Sequence, residues 1–153
     1  MAVLNYLISG LPGTGKTSVC KELQSRGFHA VDADTLASQD ANKWLWNDDK
    51  MQKVLADTSH QVSFICGSAS NRDLYIHQFA KVFILYVDDQ ILTSRLTNRK
   101  NNNFGKSPEV LARQLKLNQG VREYSLKRGR ILIDASRPLK QVVDMIISLS
   151  MKD

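Results

Sequence analysis

Cysteine, histidine and long apolar runs are all scarce in this chain, and each scarcity excludes something. The two cysteines, Cys20 and Cys66, show neither paired nor metal-type spacing, so they read as small core thiols of a protein kept in a reducing cytoplasm. Three scattered histidines, His29, His60 and His77, form no zinc signature. No apolar stretch reaches the ~18 residues that a membrane helix needs, so no membrane partner is expected. The opening segment AVLNYLIS has no basic flank and runs straight into a glycine-rich loop, which fits a first strand and not a leader. Aromatic residues are not interleaved with the basic ones beyond Phe104 and Tyr124, which ranks nucleic acid last among the candidate partners.

What is present is ordinary for a globular chain: 153 residues, 42% hydrophobic and 24% charged, without internal repeats. A single domain spanning residues 1–153 is the expectation. The net charge of +6 is not carried by a tail. Basic residues concentrate between Arg95 and Arg130, as befits a pocket that must hold polyphosphate.

Short apolar runs recur at 3–9, 28–32, 62–66, 82–87 and 131–134 and read as five buried strands. Helical patterns fall between them at 16–26, 35–57, 72–79, 91–99 and 108–127, with a last helix at 139–150. Asp88 is placed to cap one helix, Ser107 and Pro108 to open another, and Gly27 and Gly129 to end two. The alternation predicts an α/β fold, a five-stranded parallel sheet with helices on both faces. The polar run NRKNNNFGKS at 98–107 is expected to be a mobile lid.

The segment from Gly10 to Thr17, GLPGTGKT, fills every fixed position of G-x-x-x-x-G-K-[ST]. Glycines let backbone N–H groups turn towards phosphate oxygens, and the N-terminus of the next helix adds its positive end. Gly13, Thr14, Gly15, Lys16, Thr17 and Ser18 are therefore the expected phosphate cradle, with Lys16 on the β- and γ-phosphates and the Thr17 hydroxyl on Mg²⁺. A guanine-reading N-K-x-D is absent, since Asn42-Lys43 lacks the aspartate, and no D-x-x-G occurs. That argues against a GTPase switch and towards ATP. VFILYVDD ends in Asp88-Asp89 and reads as a strand followed by a helix cap, not as the acidic pair of a motor ATPase.

Taken in order, LISGLPGTGKTSVCKEL, FHAVDAD, RLTNR and LIDASRPLKQVVDMI resemble the small-molecule kinases that include adenylate kinase, shikimate kinase and gluconate kinase. The resemblance implies that Asp32 helps to hold Mg²⁺ and that Asp34 orients or deprotonates the acceptor hydroxyl. It implies that Arg95 and Arg99 close over the nucleotide, Arg99 nearer the transferring phosphate, and that Ala135, Ser136, Arg137 and Pro138 line the adenine. Two departures leave the acceptor open. The third strand is followed by GSASNR where a shikimate kinase shows three glycines, and the D-G-[FY]-P-R of nucleoside monophosphate kinases is absent. The combination of W-x-W, CGSASN, R-L-x-x-R and N-x-[FY]-G-K-[ST]-P-E is similar instead to a group of small bacterial ATP-binding, kinase-type P-loop proteins.

Ser68, Ser70, Asn71 and Arg72 follow the third strand, where open α/β sheets bind ligands, and their polar groups suit a polar or anionic small-molecule acceptor. Trp44 and Trp46, placed on a helix by this reading, cannot share one of its faces. The expected function is an ATP- and Mg²⁺-dependent phosphotransferase whose acceptor is a nucleoside, a nucleotide, or a shikimate- or sugar-like metabolite. The alternative is a regulator that binds or hydrolyses ATP without a metabolite acceptor.

Overall fold

Strands buried on both faces need apolar residues at odd and even positions alike, and the first run supplies them. The computed structural model, which describes residues 3–99 and 106–152, begins with strand β1 (Leu4–Gly10), in which Tyr6 and Ile8 enter one core and Leu7 the other. Helix α1 (Lys16–Ser25) and strand β2 (His29–Asp32) follow. The chain then forms a hairpin of β3 (Ala37–Asp40) and β4 (Lys43–Trp46), helix α2 (Asp48–Ala56) and strand β5 (Val62–Cys66). Strand β6 (Lys81–Tyr86), helices α3 (Asp89–Thr97) and α4 (Pro108–Lys127), strand β7 (Ile131–Asp134) and helix α5 (Leu139–Ser150) complete the order.

The five sheet strands lie in the order β2-β5-β1-β6-β7, all parallel, with Ile8 level with Cys66 on one side and Phe83 on the other. Their C-terminal ends therefore converge on one edge, which carries the phosphate loop. On one face α1 and α5 cover Tyr6, Phe64 and Phe83, with α3 adding Leu92 and Leu96. On the other, Trp46, Met51 and Leu55 pack with Tyr75 and Phe79 over Leu7, Ile65 and Ile84. Each fully buried Phe or Leu contributes about 1.5–3 kcal/mol against exposure, which is what holds the sheet between its two helix layers.

The expected helix at 35–57 is a correction. A single 3₁₀ turn (Ala33–Leu36) leads into the β3–β4 hairpin, and only α2 at its end is helical. In a strand, residues two apart share a face, so Trp44 and Trp46 point the same way. Trp46 is buried edge-on against Tyr75, and Trp44 extends beyond the rim. The two-residue turn is Ala41-Asn42, and Ala41 takes a φ of 53°, the left-handed region where glycine is usual. Without a glycine there, the hairpin carried no local turn signal.

The expected helix at 72–79 is likewise two short 3₁₀ turns, Arg72–Leu74 and Ile76–Gln78. This segment must carry the chain from the C-terminal end of β5 back to the start of β6, and a 3₁₀ turn advances further per residue than an α-helix. Elsewhere the caps act where the sequence placed them. Asp88 accepts from the Ile91 N–H at 2.9 Å, and Ser107 from the Val110 N–H at 3.2 Å. Most of the expected lid at 98–107, residues 100–105, lies outside the described residues.

Candidate active site

The loop after β1 is built to leave donors unpaired. Gly15 precedes α1 at φ 104°; no side chain caps the helix and no acid stands in its first turn. Its first N–H groups thus face outward without a partner, as an anion site requires. Gly13, at φ 87°, has a second reason to be glycine, because a Cβ there would stand 3.1 Å from Leu96. Thr14 is buried, and its hydroxyl donates to the Leu11 carbonyl at 2.7 Å, shaping the loop from within. Thr17 and Ser18 are exposed on the first turn of α1.

Lys16 folds back over this loop, its ammonium donating to the carbonyls of Gly10 at 2.8 Å and Leu11 at 3.0 Å. Burial lowers its pKa to about 8, and Arg99 and Arg72 push in the same direction against the pull of Asp34 and Asp32. All five charges therefore belong to one electrostatic neighbourhood.

Asp32 ends β2 and caps the 3₁₀ turn, its Oδ1 accepting from the Asp34 N–H at 3.0 Å. That turn holds Asp34 at the mouth of the site. Partial desolvation raises the Asp34 pKa, with Asp32 adding to the rise, while Lys16, the Trp44 indole N–H and Arg99 oppose it. The approach of the neighbouring loop depends on Gly67, where a Cβ would stand 2.8 Å from the Cβ of Ala33, the residue between the two aspartates.

The loop after β5 and the hairpin are one construction. The Ser70 N–H donates to the Trp44 carbonyl at 2.8 Å, and the Asn71 side chain meets both the N–H and the carbonyl of Trp46 at 3.0 Å each. Asn71, expected at the acceptor, thus uses both ends of its amide to imitate a strand beside β4. Arg72 turns inward, donating to the buried Ser9 hydroxyl at 3.0 Å and to Asp73 at 3.2 Å. Ser68 is half-buried and Ser70 exposed on the same loop. Replacing Asn71 with alanine is expected to cost about 1–3 kcal/mol, because it strands two backbone groups of β4. Equilibrium urea unfolding checks this; an unchanged midpoint would show that the clamp is not holding the hairpin.

On the nucleotide side, Arg95 donates to the Ala135 carbonyl at 2.8 Å and to the Thr14 carbonyl at 3.3 Å, tying the phosphate loop to the segment after β7. That segment is held by Asp134, whose Oδ1 accepts from the Ser136 N–H at 3.0 Å and hydroxyl at 2.6 Å, with Arg137 3.9 Å from its other oxygen. Ser136, Arg137 and Pro138 are exposed along this edge. Reading along the chain missed Ser9, which Arg72 reaches across 63 residues. Cys20 and Cys66 are both buried free thiols, as their spacing suggested, and their mutual influence pushes Cys66 well up and Cys20 down.

An uncapped helix start behind a parallel strand, a lysine folded over its loop, and aspartates at the end of edge strand β2 and in the turn after it define a P-loop nucleotide-binding protein of the small-kinase fold. The chain belongs to the AAA_18 family of AAA domains, whose pattern matches residues 7–116. No curated protein matches the sequence. Among solved structures it is similar to a gluconokinase from Sinorhizobium meliloti 1021, at 18% identity and a TM-score of 0.63, over 92% of this chain and 87% of that one. A shikimate kinase from Bacteroides thetaiotaomicron is similar at 14% identity and a TM-score of 0.63, over 99% and 100% of the two chains. A deoxyadenosine kinase from M. mycoides is similar at 12% identity and a TM-score of 0.61, over 96% and 98%. At these identities the likeness is one of fold. No helix among the described residues is long and apolar enough to cross a membrane.

Proposed function

We propose that this protein is an ATP- and Mg²⁺-dependent phosphotransferase that moves the γ-phosphate of ATP to a hydroxyl of a small polar metabolite in the cytoplasm. The observation that carries this reading is the gathering of Lys16, Arg72 and Arg99 with Asp32 and Asp34 beside the uncapped start of α1. Phosphoryl transfer asks for positioned charge around the moving group and little covalent work from the protein. In this reading the first turn of α1 and Lys16 hold the phosphates. Asp34 accepts the proton of the acceptor hydroxyl as its oxygen bonds to the γ-phosphorus, and the electron pair of the broken P–O bond stays with ADP. The exposed Thr17 hydroxyl and the second oxygen of Asp32 are hard donors of the kind Mg²⁺ takes, and the ion would supply charge neutralisation between the phosphates. In this reading Ser136 and Arg137 would border the adenine, and Arg95 supports it by bracing that segment against the phosphate loop.

The acceptor side is bounded by Trp44, Ser68, Ser70 and Asp34. Trp44 is 39% exposed and close enough to Asp34 to act on its pKa, so in this reading it supplies a flat apolar wall beside the base. A ring-bearing acceptor with a free hydroxyl suits that combination, whether nucleoside, nucleotide or sugar-like. ATP consumption measured with and without nucleosides, nucleotides, sugars and shikimate tests the proposal. One class is expected to raise turnover well above background hydrolysis; if none does, the protein is an ATP-binding regulator and not a kinase. With the active acceptor, Trp44→Ala is expected to raise its KM about tenfold and leave the KM for ATP unchanged.

A further inference from the structure

At the other end of the sheet, where the strands begin, three side chains meet that have no part in phosphate chemistry. His29 opens β2, Asp57 caps the end of α2, and His60 lies in the connection from α2 to β5. One ligand atom from each lies within 4.8 Å of the other two. The two imidazole rings stack with centroids 3.9 Å apart and planes 1° from parallel.

Ser59 determines what this trio offers. Its hydroxyl lies 2.6 Å from Asp57 Oδ1 and 3.0 Å from His60 Nδ1. An ionised carboxylate can only accept, so the single hydroxyl proton lies on the short contact to Asp57. The serine oxygen must then accept from the Nδ1–H of His60. In a neutral ring this leaves the lone pair on Nε2. Asp57 Oδ1 is also taken by the Ser59 N–H at 2.9 Å, whereas Oδ2 has no hydrogen bond among the described residues. Together the serine and the flanking backbone hold one nitrogen and one carboxylate oxygen ready as donors.

From this arrangement we propose a divalent transition-metal site formed by His29, Asp57 Oδ2 and His60 Nε2, with Ser59 as the residue that orients two of the three. Two neutral imidazoles and one carboxylate suit Zn²⁺, Co²⁺ or Ni²⁺; Mg²⁺ and Ca²⁺ prefer all-oxygen surroundings. A serine that takes the second N–H of a ligating histidine and one oxygen of the ligating carboxylate is the outer-shell support such sites use. Tetrahedral coordination at about 2.0–2.1 Å needs donors about 3.4 Å apart. Parallel rings cannot aim their in-plane lone pairs at one ion, so the His29 ring turns out of the stack to bind while Ser59 keeps His60 and Asp57 in place. His29 belongs to the edge strand β2, and the other two to the connection that feeds its neighbour β5. The ion would therefore staple the start of an edge strand to the adjoining loop, far from the transferred phosphate.

The test is titration of metal-stripped protein with Co²⁺ and Zn²⁺ under excess Mg²⁺, by absorbance and calorimetry. The expected result is one ion per chain at micromolar affinity or tighter, a Co²⁺ spectrum without a thiolate band, and a metal-induced shift of the His60 Nε2 resonance. His29→Asn and Asp57→Asn should each weaken binding at least about tenfold, and Ser59→Ala about 10–100-fold while every ligand remains. No binding by the intact protein, unchanged affinity in Ser59→Ala, or a thiolate band placing the ion on Cys20 and Cys66 would each overturn the site. The resonance shift is read on the unaltered protein, so an unstable variant does not block the test.

Discussion

Lys16→Ala is expected to lower phosphoryl transfer by at least about 10²–10³-fold. The ammonium is held over the Gly10 and Leu11 carbonyls at the start of α1, so it can turn towards a phosphate without crossing the site. Its removal takes away the one positive charge on the phosphate loop itself. The lowered pKa adds a second expectation. In the nucleotide-free protein Lys16 loses its proton as pH rises through about 8, so ATP affinity should fall over that range. Stability runs the other way. A lysine whose folded pKa lies below its unfolded value leaves the folded state with fewer protons, so stability rises with pH from about 8 towards 10.5. Lys16→Met should accordingly melt no lower than the parent at neutral pH. Initial rates and calorimetric ATP binding across pH, with thermal melts of both proteins, check all three statements. Near-parental transfer by Lys16→Ala would remove the lysine from the chemistry.

The second large effect is expected at Asp34. Asp34→Asn keeps shape and hydrogen bonding but cannot take a proton, and a general base of this kind contributes about 10²–10⁴-fold to the rate. ATP affinity should change little, because the proposed function puts this side chain on the acceptor side, near Trp44. Burial and Asp32 raise the Asp34 pKa, so the parental rate should fall as pH drops through that raised value. The sign of the stability effect follows from the same shift. The folded state holds this proton more tightly than the unfolded one, so stability is lost as pH rises through the folded pKa. At neutral pH the asparagine variant should be the more stable protein and much the slower enzyme. A rate loss combined with a lower melting temperature would point to a structural defect instead.

How much of this was visible in the chain depends on how local each signal is. The five strands stand where the apolar runs lie, and α4 and α5 have the expected limits because cap, proline and periodicity sit within a few residues of one another. The phosphate loop was legible for the same reason: its residues are consecutive, and the glycines are required by its backbone. The hairpin was not, since Ala41-Asn42 lacks the glycine that would mark a two-residue turn. Its partner in space, Asn71, lies 25 residues from Trp46. Arg72 reaches Ser9 across 63 residues, and Arg95 reaches Ala135 across 40. Such pairings are set by the order of strands in the sheet, which no short window of sequence contains. Asp57, Ser59 and His60 sit close together in the chain, yet only the sheet brings His29 to them.

Strand β4 has β3 on one edge and the Ser70–Asn71 segment on the other, while the residues of its turn, from Asp40 to Lys43, are exposed and clear of the sheet. The hairpin that the proposed function makes the acceptor wall is therefore anchored at its base and open at its tip. In the proposed reading, discrimination between acceptors and the holding of phosphate would reside on separate stretches of chain, so one could drift while the other stays intact. If the proposed acceptor wall is right, the turn between Asp40 and Lys43 is where loop grafting would change which molecule is accepted.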